Sequence, residues 1–113
     1  MADITVRRRS LAVLKILAKA HSDNPSTIPL PVLTRKEIAQ RLRSEYDEPY
    51  AHYQSIHRDQ EPELVAAGLC TCVGKASHGR LYITSFGMQL IHDLGDELPD
   101  SMTIKIMLPT QDD

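Results

Sequence analysis

The sequence predicts a mainly α-helical fold with one small β-hairpin: three core helices, the hairpin, then a C-terminal helix. Three observations predict it. Apolar residues recur at helical spacing near the N-terminus, a Thr-led capping box opens a second helix, and two short apolar runs flank a glycine-bearing connection. With 113 residues, no Trp, one Phe and four Tyr, the chain has room for one domain, and its core must be built from Leu, Ile, Val and Ala. That composition favours packed helices over a β-sandwich.

The first helix is expected over 6–21, where Val6, Leu11, Val13, Leu14, Leu17 and Ala18 mostly fall three or four apart. Pro25, Pro29 and Pro31 then exclude a helix, so 21–31 is a connection with a short extended piece at Ile28 to Leu30. Thr34-Arg35-Lys36-Glu37 has the capping-box spacing: the Thr34 hydroxyl can accept from the Glu37 amide while the Glu37 carboxylate reaches back to the Thr34 amide. A helix over 34–43 follows, with Ile38, Ala39 and Leu42 inward.

Pro49 suits a first helical position, capped by Asp47 or Glu48, so a third helix is expected over 50–67 with Tyr50, Tyr53 and Ile56 inward and a break at Pro62. Gly68 can take the left-handed conformation that turns a helix end into a strand. Strands are expected at 69–73 and 80–84, with Leu69, Thr71 and Val73 sharing a face with Leu81 and Ile83. Gly74 to Gly79 joins them as a basic tip carrying Lys75, His78 and Arg80. Thr84 or Ser85 caps a last helix through Leu94, with Phe86, Leu90 and Ile91 inward. Residues 1–94 make the domain, and 95–113 is an acidic tail with an extra strand at 102–108 and a disordered Gln-Asp-Asp end.

The net charge of −2 hides an asymmetry. Residues 1–43 hold nine Lys/Arg against three Asp/Glu, while 44–66 hold one against six. A nucleic-acid-binding domain needs a basic face rather than a basic total, so this balance permits DNA without requiring it.

In order and spacing, Thr34 to Ala39, then Ser55-Ile56-His57-Arg58-Asp59, Leu64, Ala67-Gly68-Leu69, and Gly79-Arg80-Leu81-Tyr82-Ile83-Thr84 with Gly87 and Leu90 resemble a known superfamily. It is the winged helix-turn-helix of small bacterial and phage transcriptional regulators, and the resemblance spans roughly Val6 to Leu94. It implies double-stranded DNA as partner and a homodimer on a two-fold operator. The recognition helix, about 50–60, would place His52, Gln54, Ser55 and Arg58 in the major groove. Arg58 could fork onto guanine, and Gln54 onto adenine. Lys75, His78 and Arg80 of the wing (74–80) would meet the backbone, and Arg35 and Lys36 are further candidates for contact with DNA. Two departures stand out: 42–56 is several residues longer than a tight turn needs, and 56–68 is about one residue longer than the pattern.

The acids Glu45, Asp47, Glu48, Asp59, Glu61 and Glu63 supply an alternative of another class. A winged helix could use such a surface to dock on a basic protein partner. Arg7-Arg8-Arg9 reads either as a phosphate clamp or as a solvated helix start. Cys70 and Cys72 are too close in sequence for an unstrained disulfide and lack zinc-knuckle spacing, so neither metal nor cofactor is expected; a metal- or redox-responsive regulator ranks third. There is no phosphate-cradling glycine loop and no Gly-x-Ser-x-Gly or His-Glu-x-x-His motif, so the chain is not read as an enzyme. Neither end reads as a leader or lipid-anchor signal and the apolar runs are short of membrane length, so a cytoplasmic protein is expected.

Overall fold

The structure, a computed structural model, describes residues 2–23, 33–74 and 79–106. In chain order the elements are β1 (Ala2–Arg7), α1 (Arg8–Asp23), β2 (Leu33–Thr34), α2 (Arg35–Glu45) and a composite helix. The composite consists of α3 (Tyr53–Ser55), a π-helical turn (Ile56–Gln60) and α4 (Glu61–Ala66). Then come β3 (Cys70–Val73), β4 (Arg80–Ile83), α5 (Ser85–Leu94) and β5 (Ser101–Ile106). The fold is therefore mixed α/β: four helices, counting the composite as one, with two small antiparallel sheets, among the described residues. One sheet has the order β2-β4-β3 and the other pairs β1 with β5. Leu11, Leu14, Ile38, Leu42, Ile56, Leu64, Leu69 and Leu81 are all fully buried, so α1, α2, the composite helix and the larger sheet share one core. Full burial of each such aliphatic side chain is worth about 1.5–3 kcal/mol. No helix among the described residues is long and apolar enough to cross a membrane.

The capping box forms as expected. Thr34 accepts from the Glu37 amide at 3.2 Å, and the Glu37 carboxylate accepts from the Thr34 amide at 3.0 Å. Thr34 also belongs to β2, opposite Arg80 of β4, so the cap fastens the start of α2 to the sheet. Gly68 has φ +74°, and Thr84 caps α5 by accepting from the Gly87 amide at 3.0 Å.

Several expectations need correction. The first helix begins at Arg8 rather than Val6, because Ala2–Arg7 is a strand paired with β5, Val6 opposite Met102 and Ile4 opposite Ile104. Val6 and Ile104 enter the core from that small sheet. Of the strand expected at 102–108, the described part falls on Ser101–Ile106, and 107–108 lie outside the described residues. The third helix starts at Tyr53, not at Pro49 or Tyr50. Asp47 takes a left-handed φ of +53°, and the Ala51 amide reaches the Glu48 carbonyl at 3.0 Å. That turn puts buried Ala51 in the inward position and leaves Tyr50 88% exposed, with Tyr53 at 37%.

Pro62 does not break the composite helix. The Glu61 amide bonds to the Ile56 carbonyl five residues back, a π-type turn that absorbs one extra residue, and Pro62 then sits in the first turn of α4, where no donor is missed. The extra residue noted between Ile56 and Gly68 is this turn. The hairpin register is also shifted. Cys70 pairs with Ile83 and Cys72 with Leu81, so the cysteines share the inner face with those residues, while Thr71 and Val73 do not. The cause is Leu69, which is buried just before the strand, with its amide on Leu64 and its carbonyl accepting from Thr84. On α5, Phe86 points outward at 48% exposure, because Gly87 takes the closest approach to the core. The extended piece expected at Ile28 to Leu30, the wing-tip residues Lys75 and His78, and the Gln-Asp-Asp end lie outside the described residues.

Candidate functional site

The outward face of α2 and the first turn of α3 form one continuous polar surface. Lys36, Gln40 and Arg43 are exposed and stand at i, i+4 and i+7, one side of the helix. Its two ends are held against the next segment: Lys36 Nζ lies 5.6 Å from the centre of the Tyr53 ring, and Arg43 Nη1 donates to the Ala51 carbonyl at 2.7 Å. His52 precedes α3 and caps it, its Nδ1 accepting from the Gln54 amide at 3.3 Å. The Ser55 hydroxyl accepts from the His52 amide at 3.3 Å and donates to the His52 carbonyl at 2.8 Å. Gln54 is exposed, with its amide 3.5 Å from the Tyr53 hydroxyl.

Of the residues expected to meet DNA, the fold thus brings Lys36, His52 and Gln54 together. Arg80 is exposed and pairs across the sheet with Thr34, at the same end of α2 as Lys36. Ser55 is half-buried and engaged in capping. Arg58 is exposed further along the composite helix, where its guanidinium forks onto Asp59 at 3.1 Å through both nitrogens. That hydrogen bonding raises the Arg58 pKa and lowers that of Asp59.

Arg35 has a different position from the outward one expected of it. Only 7% exposed, it turns inward and binds Glu61 through two contacts, Nε to Oε1 at 2.6 Å and Nη2 to Oε2 at 3.1 Å. The thiol of Cys72 lies 3.5 Å from the same guanidinium, and a side chain on Gly79 would collide with it. One ion pair therefore ties together the start of α2, the start of α4 and the base of the hairpin. The Glu61 bond raises the Arg35 pKa. Burial alone would raise the Glu61 carboxyl, but the hydrogen bond and charge of Arg35 outweigh it and hold it below 4.5.

The other acids near the composite helix are matched in the same way. Arg9 binds Glu48 at 2.6 Å, and Arg7 binds Glu63 through its side chain at 3.1 Å and through its backbone amide. Arg8 stands 3.9 Å from Asp100. The Arg7-Arg8-Arg9 run thus fastens the junction of β1 and α1 to three separate segments. Glu45 and Asp47 remain exposed beyond the C-terminal end of this surface. Among the described residues no group of three or more His, Cys, Asp and Glu is placed to hold a metal ion.

The sequence reading missed Tyr50, Tyr53, Gln40 and Arg43 as surface residues. For Gln40 and Arg43 the signal was present: both fall on the polar side of the stripe set by Ile38, Ala39 and Leu42. For the tyrosines it was not, because Tyr53 and Ile56 have inward-facing helical spacing and only the turn at Asp47 decides otherwise.

Compared with known proteins, the chain matches no protein-family model, no curated protein and no solved structure.

Proposed function

We propose that this chain is a winged helix-turn-helix DNA-binding domain acting in transcriptional regulation, as a homodimer on a two-fold site and in the compartment that holds the DNA. In this reading α2 and α3 are the helix pair, the composite helix enters the major groove, and the β3–β4 hairpin is the wing. One observation carries it. Lys36, Gln40, Arg43, His52 and Gln54 form a shared surface of cations and amides, while Asp59, Glu61, Glu63 and Glu48 are each engaged by an arginine. A phosphate backbone laid on that surface meets donors, and the carboxylates that would repel it are largely neutralised within the fold. The same pairing leaves little free acidic surface on the composite helix with which to dock a basic protein.

Lys36 and Arg80 would contact phosphates, and Gln54 would read a base edge by paired hydrogen bonds. Arg58 reads a guanine only by releasing Asp59. The test is an anisotropy titration of the chain against duplex fragments from its own locus at two salt concentrations. Gln54→Ala should lower discrimination at one base pair by about 1–3 kcal/mol, and Lys36→Ala should weaken all sequences alike. Failure to bind any fragment in a salt-dependent way would overturn the proposal.

A further inference from the structure

We infer that the exposed rings of Tyr50 and Tyr53, beside Lys36, form a stacking surface for unpaired DNA bases, so that the domain prefers duplexes containing a short unpaired stretch. The inference rests on the DNA-binding reading and specifies its substrate. Tyr50 is 88% exposed, although an aromatic ring in open solvent contributes nothing to the core. The Asp47 turn holds it there, with Pro49 fixing the backbone before it. Three residues on, Tyr53 is 37% exposed and preset: the His52 ring lies 4.5 Å away at 35°, and Lys36 stands over its face.

Aromatic rings interleaved with cations and amides make the chemistry that takes up nucleobases, because every base offers a π-face and carries its phosphate at a fixed distance. Among the described residues, the other exposed large apolar ones, Val65, Val73 and Phe86, lie on α4, β3 and α5, not on this surface. The tyrosines are thus set among polar groups and not in an apolar patch of the kind that docks proteins. A paired base cannot stack there, since both its faces are occupied in the duplex.

The test uses the full chain and four probes of common sequence: a paired duplex, the same duplex with a short mismatched bubble, the bubble strand alone, and that strand as RNA. The bubble duplex should bind about tenfold more tightly than the paired one. Tyr50→Ala should remove that gain and leave paired-duplex binding nearly unchanged, while Tyr50→Phe should keep it. Equal, salt-dependent binding of bubble and paired duplex would overturn the stacking site and leave the DNA-binding reading standing. Absence of salt-dependent binding to either duplex would overturn that reading as well. Tighter binding of the RNA strand than of the bubble would overturn the assignment to DNA. Because Tyr50 packs against so little, its variants should keep the wild-type circular dichroism, so a lost gain reports on binding.

Discussion

Arg35 and Glu61 are joined by two parallel contacts, 2.6 and 3.1 Å, with side chains only 8% and 12% exposed. Breaking such a pair from one side leaves a buried charge unmatched, which costs about 3–5 kcal/mol. Glu61→Gln and Arg35→Ala should each lower the unfolding free energy, read from urea titration, by that order. The pair also has a pH signature. Since the folded Glu61 carboxyl lies below its ordinary 4.5, its stabilisation is complete above that value and is lost as pH falls through the lower folded value. Acid unfolding of Glu61→Gln should accordingly show a shallower loss below about pH 4.5 than wild type. Identical acid limbs would contradict the pairing.

Gly87 marks where α5 meets the sheet. A Cβ there would fall on the Leu69 carbonyl oxygen and 2.7 Å from the Ile83 side chain at Cγ1, and the Leu69 backbone cannot give way cheaply. Gly87→Ala should destabilise by about 1–3 kcal/mol despite alanine's better helix propensity. Thr84→Ala should cost about 1 kcal/mol through the lost cap, and the Thr84 hydroxyl's 2.7 Å bond to the Gly68 carbonyl goes with it. Thermal unfolding of both variants checks the order.

The thiols should be quiet in the folded protein. Burial, with Glu61 and Cys72 close by, pushes Cys70 up to about 12, and burial followed by the Glu61 carboxylate raises Cys72. Alkylation at pH 8 should be slow on the native chain and fast in denaturant, and Cys70→Ser with Cys72→Ser should retain DNA binding without loss of any metal. Rapid native labelling, or metal lost together with binding, would promote a sensing role.

The N-terminal arginines should act on stability and not on DNA. Arg9→Ala removes a partly exposed pair with Glu48, worth about 0.2–1 kcal/mol, and should leave the salt dependence of DNA affinity unchanged. A lower salt dependence in Arg9→Ala would place that residue on the phosphate backbone.

What could be read from the sequence is what is local. The Thr34–Glu37 box, the Thr84 cap and the Gly68 turn each depend on residues within three or four positions, and all three formed. What could not be read depends on distant partners. Nothing near Val6 announces that it will pair with Met102, although the β-branched run Ile4-Thr5-Val6 itself favours a strand over a helix start. The hairpin register turned on whether Leu69 is the first strand residue or the last core residue before it, and a one-residue slip reverses every face. Arg35 looked like a surface cation because its partner lies in another helix. For the candidate site, Lys36, His52, Gln54 and Arg80 were identifiable by residue type. The turn that exposes Tyr50 was not.

The most direct test of the central claim is the slope of log affinity against log salt for duplex DNA, in wild type and in Lys36→Ala with Arg80→Ala. Both residues are exposed at one end of α2, clear of the internal ion pairs described above. If each contacts one phosphate, the double variant should lose about 0.9 of slope per residue, about two in all, while its unfolding midpoint stays at the wild-type value. An unchanged slope at unchanged stability would contradict the account.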